Sequence, residues 1–86
     1  MQVSVEISYY PLNEKFADSI HAFIANLKSY QNIIVQPNGI STQVFGEYRE
    51  VMGILTNEIE KASELPHSIF VLKIINADRN KMPVKS

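Results

Sequence analysis

Ten residues from Asn38 to Glu47, Asn-Gly-Ile-Ser-Thr-Gln-Val-Phe-Gly-Glu, constrain the fold more than any other stretch. A turn signal, a short strand and a helix entry follow one another there without a spare linker. Asn38-Gly39 supplies the positive backbone angles that a tight hairpin turn demands. Ile40, Thr42 and Val44 alternate with Ser41, Gln43 and Phe45, a two-residue period that fits a strand with two different faces. Gly46 then releases the chain into a helix. Apolar stretches flank the segment on both sides, so its small hydroxyls are expected beside a packed sheet, a suitable place for a small-molecule site.

The remaining elements are read outward from this point. Val3, Val5, Ile7 and Tyr9 alternate with Ser4, Glu6, Ser8 and Tyr10 and predict a strand ended by Pro11. Asn13 is the predicted cap of a helix whose apolar stripe is Leu12, Phe16, Ile20, Phe23, Ile24, Leu27 and Tyr30, recurring at three- and four-residue steps. Ile33-Ile34-Val35, closed by Pro37, pairs with the following strand through the Asn38-Gly39 turn. Glu47 and Glu50 open a second helix, where negative charge complements the helix dipole. Its predicted buried stripe is Tyr48, Val51, Met52, Leu55, Ile59 and Ala62, and Pro66 stops it. Gly53 in mid-helix costs about 1 kcal/mol relative to alanine, which predicts close packing against another backbone. Ser68 to Ile75 is a last strand, almost wholly apolar except for Lys73.

The resulting order, β-α-β-β-α-β, is that of a ferredoxin-like α+β sandwich, a four-stranded antiparallel sheet with both helices on one face. Residues 1–78 are expected to form this single domain and 79–86 an irregular tail. With Val3, Val5, Ile7 and Val44 turned to the helices, the open sheet face carries Glu6, Ser8, Tyr10, Ser41, Gln43 and Phe45, joined by Ile69, Val71 and Lys73. Such a mixture of apolar bulk and polar groups suits pairing with a second copy of the chain, so a homo-oligomer through this face is expected.

Composition narrows the function. At 86 residues and 45% hydrophobic, the chain has material for one two-layer core. A net charge of −1 without a basic run removes the footprint that nucleic-acid or anionic-membrane binding requires. There is no cysteine, hence no disulfide framework, thiolate nucleophile or zinc ribbon. No signal peptide or membrane span is visible, and the cytoplasm is the expected location. His21 and His67 have no second ligand at metal-binding spacing, so no metal site is expected. Glu6 on an inner strand needs a partner, which Lys73 on the neighbouring strand would supply, or else it receives a cationic or amino-bearing ligand. Ser41 and Thr42 lack a histidine–acid partner and a nucleophile elbow. The chain therefore reads as a binder, not an enzyme, with no catalytic residues and no cofactor. A heavy-metal carrier would need a Cys-x-x-Cys, and an RNA-recognition module a basic, aromatic central strand pair; neither is present.

At Ile7-Ser-Tyr-Tyr-Pro-Leu12, at Asn38 to Glu47 and at Val51-Met52, the chain resembles the small bacterial and archaeal family of thiamine-binding, or hydroxymethylpyrimidine-binding, proteins. The resemblance spans about Val3 to Asp78. It implies a ferredoxin-like subunit that assembles through its sheets into dimers or tetramers and binds thiamine (vitamin B1) or its pyrimidine moiety without transforming it, for sequestration or delivery. Relatives commonly carry a charged helix after the last strand, whereas Asn76 to Ser86 is short and contains Pro83. An aminopyrimidine offers donors and acceptors along one edge and a flat face. Asn38, Ser41 and Thr42 would serve the edge and Tyr10 and Phe45 the face, with Glu6 or Glu47 attracting the thiazolium cation. Ser41 and Thr42 point to opposite sides of their strand, so both touch one ligand only across a bulge or a subunit boundary. The alternative is an oligomerisation domain, structural or regulatory, whose sheet face pairs only with itself.

Overall fold

The computed structural model describes residues 1–64 and 67–80. Its elements are β1 (Gln2–Pro11), α1 (Phe16–Lys28), β2 (Ile34–Pro37), β3 (Thr42–Glu47), α2 (Tyr48–Ala62) and β4 (Ser68–Ile75). The strands form one antiparallel sheet in the order β2-β3-β1-β4. This is the ferredoxin-like α+β fold that the element order predicts.

Register sorts the residues between the two faces. Val5 lies opposite Val44 and Ile7 opposite Thr42, and this face is closed by Phe23 and Leu27 of α1 and Val51, Ile54 and Leu55 of α2. Each helix thus buries one stripe and leaves the opposite face to solvent. On the other face Ser4 lies opposite Phe45 and Ile75, Glu6 opposite Gln43 and Lys73, and Tyr10 opposite Ile69.

Several local expectations are corrected. The Asn38-Gly39 turn is not built on positive backbone angles, for neither residue adopts a positive φ. Instead, Asn38 Oδ1 accepts from the amides of Ile40 and Ser41, both at 2.8 Å, while Asn38 N donates to Ser41 O at 2.9 Å. The side chain stands in for the missing turn geometry. Gly46 stays within β3, and α2 is capped by Glu47, whose carboxylate accepts from Arg49 N at 3.0 Å and Glu50 N at 3.2 Å. The N-cap of α1 is Lys15, not Asn13, and the helix begins late enough to leave Leu12 and Phe16 exposed. Gly53 faces open space, so close packing does not account for it. Pro66, the expected stop for α2, lies outside the described residues.

The segment after β4 has no regular structure but is not loose through residue 80. It crosses the open sheet face as a strap. Ser4 Oγ donates to Ala77 O at 2.7 Å and accepts from Arg79 N at 2.8 Å, and Gln36 on the far edge strand bonds Asn80. Phe45, beneath this crossing, is only 5% exposed. Residues 81–86, the rest of the expected tail, fall outside the described residues.

Candidate functional site

The residues expected from sequence to hold a ligand do not converge on one point. Glu6, Tyr10, Ser41 and Phe45 belong to the open sheet face. There Ser41 Oγ donates to Glu6 Oε2 at 3.1 Å, and Lys73 Nζ lies 3.7 Å from Glu6 Oε1, the cross-strand pair foreseen from register. Both side chains of that pair are well exposed, so solvent leaves the attraction weak. Thr42 is buried on the opposite face beside Ile7 and Phe23. The side chains of Asn38 and Glu47 are occupied in the turn and in the helix cap. A cleft of about 370 Å³ on the open face includes Ser4, Glu6, Gln43, Phe45, Lys73 and Arg79, but the Ser4 hydroxyl and the Glu6 carboxylate there already have partners.

A larger cleft, of about 620 Å³, opens between the two helices. Its floor is aromatic. Tyr9 of β1 stacks on Phe70 of β4 at 4.5 Å between ring centroids, and Phe23 of α1 tilts against both. Tyr9 and Phe23 line the cleft, α1 contributes Ala22 and Asn26, α2 contributes Ala62, and the loop before α1 contributes Asn13 and Lys15.

The carboxylate of Glu58 on α2 lines this cleft while being only 2% exposed. Its Oε2 accepts from Tyr30 Oη at 2.7 Å, from Asn57 Nδ2 at 3.3 Å and from Lys61 Nζ at 3.3 Å. Asn57 also donates to Tyr30 Oη at 3.0 Å, so the tyrosine hydroxyl is oriented from behind. Three donors on one oxygen hold the carboxylate in place. The other oxygen, Oε1, is buried and has no hydrogen-bond partner among the described residues. A buried acceptor in that condition costs about 1–3 kcal/mol. Such a group suits a ligand that brings an N–H donor.

Glu58 escapes an α2 stripe drawn through apolar residues alone. The available signal was its spacing: Val51, Leu55, Glu58 and Ala62 follow steps of four, three and four, placing a charge on the buried face. Asn13 was read only as a cap. Among the described residues, no group of three or more metal-ligating side chains comes together, and no helix is long and apolar enough to cross a membrane.

A ferredoxin-like α+β domain with an interhelical cleft is thus the class that fold and site define. No family model and no curated protein matches the sequence. Solved structures do resemble it. A protein of Streptococcus pneumoniae superposes with a TM-score of 0.83 at 24% identity, over 95% of this chain and 93% of its own. A Thermotoga maritima protein described as a thiamine biosynthesis/salvage candidate gives a TM-score of 0.77 at 21% identity, covering 86% of this chain and 82% of that one. A domain of unknown function from Bacillus cereus gives 0.74 at 14% identity, covering 92% of this chain and 79% of that one. At these identities the likeness establishes the fold.

Proposed function

We propose that the protein binds thiamine or its hydroxymethylpyrimidine moiety in the cleft between α1 and α2, without transforming it, for sequestration or delivery. The observation that carries this reading is Glu58, a residue of the cleft lining whose carboxylate has one oxygen held by three donors and the other buried without a partner among the described residues. The amino group of a pyrimidine supplies the N–H that Glu58 Oε1 lacks, and its flat ring suits the Tyr9 and Phe23 walls. The sequence resemblance at Ile7–Leu12 and Asn38–Glu47, and the description of the Thermotoga neighbour, support the same ligand class.

Self-association through the open sheet face belongs to the same proposal. Tyr10, Ile69, Val71 and Ile75 are exposed there along β1 and β4, interrupted by the Glu6–Lys73 pair, an apolar row with a polar gap that a second copy would cover. A purely self-pairing domain would account for that row but not for Glu58.

A thermal-unfolding screen with thiamine, its phosphates and hydroxymethylpyrimidine tests the reading. A ligand at a hundred times its Kd stabilises the fold by about 2.7 kcal/mol. The expected result is a shift with at least one of these compounds that is lost in Glu58→Gln. Absence of any shift with the folded wild-type protein contradicts the proposal.

A further inference from the structure

Two buried side-chain atoms lack a hydrogen-bond partner among the described residues, Glu58 Oε1 and Asn13 Nδ2, and both residues line the interhelical cleft. Asn13 sits in the loop between β1 and α1. Its Oδ1 accepts from Lys15 N at 2.9 Å, which fixes the oxygen end of the amide. The amide NH₂ has no partner among the described residues. Two residues of the cleft lining thus hold one unpaired acceptor and one unpaired donor just beneath its surface.

We infer that Asn13 is a specificity-determining residue of this site, donating from Nδ2 to a ring nitrogen of a heteroaromatic amine whose amino group is accepted by Glu58. The inference rests on the aminopyrimidine reading above and adds to it a requirement for an acceptor in the ligand. A simple cation or aliphatic amine satisfies Glu58 and leaves Asn13 unpaired. A simple anion satisfies Asn13 and meets the Glu58 carboxylate. A neutral ring carrying both an amino group and a ring nitrogen satisfies both.

The test crosses two probes with three proteins. The probes are hydroxymethylpyrimidine and its aminobenzyl alcohol counterpart, which keeps the amino, methyl and hydroxymethyl groups and replaces both ring nitrogens by carbon. The proteins are the wild type, Asn13→Asp and Glu58→Gln, titrated calorimetrically at a pH where both rings are neutral. Asn13→Asp retains an oxygen to accept from Lys15 N, removes the donor and adds a negative charge; the charge acts on both probes, so the difference between them isolates the donor, and the unfolding midpoint checks that the fold is kept. The expected result is a loss of about tenfold in pyrimidine affinity for Asn13→Asp with less than about twofold for the carbocycle. An unchanged pyrimidine affinity, or an equal loss for both probes, overturns the inference while leaving the site in place. If Glu58→Gln leaves pyrimidine affinity unchanged, or the wild type does not bind the pyrimidine, the underlying reading fails and the inference with it.

Discussion

Glu58 has a position that folding alone does not favour. Its carboxylate lies at the inner side of α2, held by Tyr30, Asn57 and Lys61 through one oxygen, with the other oxygen unpaired. Removing it takes an unsatisfied acceptor out of the interior, and Tyr30, Asn57 and Lys61, left without that partner, are solvent-accessible enough to bond water instead. Glu58→Leu is therefore expected to leave the unfolding midpoint of the free protein at or above that of the parent, while abolishing stabilisation by thiamine or hydroxymethylpyrimidine. A drop of more than about 1 kcal/mol in the free protein would assign the carboxylate a structural role instead. The contrast with the residues singled out from sequence is physical. Ser41 and Glu6 bond each other, and Asn38 and Glu47 are consumed by backbone amides, so their polar atoms are largely satisfied within the fold. Sequence shows which side chains have hydrogen-bonding capacity. It does not show which of them the fold leaves unpaired, since that depends on Tyr30 meeting Asn57 and Glu58 across the helices and on Asn13 lying along the same cleft.

At the level of elements, strand and helix identities were legible because their signals are local. The alternation in Val3 to Tyr10 places Val3, Val5 and Ile7 in the core, and β4 has the bounds its apolar run predicts. Helix ends were less legible. Leu12 and Phe16 fit the period of α1 but precede or begin the helix proper and stay exposed, because periodicity carries no information about where packing partners end. Two glycines illustrate how differently one residue type can act in neighbouring elements. At Gly46 in β3, an added Cβ would lie 3.0 Å from Val51 Cγ2 and 3.3 Å from Ile33 Cγ2, so β3 can approach α2 only without a side chain there. At Gly53 in α2, an added Cβ meets nothing within 4 Å. Gly53→Ala is expected to stabilise the protein by about 0.5–1 kcal/mol, and Gly46→Ala to destabilise it by about 1–3 kcal/mol. Urea unfolding of the two variants checks this, and effects of the same sign would show that the α2–β3 contact is misplaced.

Across the whole molecule, the sheet separates two surfaces. The helix side contains the core and the cleft. The open side is divided by the strap, which covers Phe45 near β3 and leaves the row along β1 and β4 exposed. A self-association surface is therefore expected on the β1–β4 half. Val71 is 51% exposed there, so Val71→Glu is predicted to reduce the particle mass seen by light scattering at high micromolar concentration while leaving ligand binding intact. A wild-type protein that is monomeric under the same conditions would remove that part of the account. Amide chemical-shift mapping during titration with hydroxymethylpyrimidine distinguishes the two sides of the sheet as the place of the ligand. The largest saturable shifts are expected to cluster around Asn13, Ala22, Asn57, Glu58 and Ala62. Shifts concentrated at Glu6, Ser41, Gln43 and Phe45 instead, with the interhelical residues unmoved, would contradict a site between the helices.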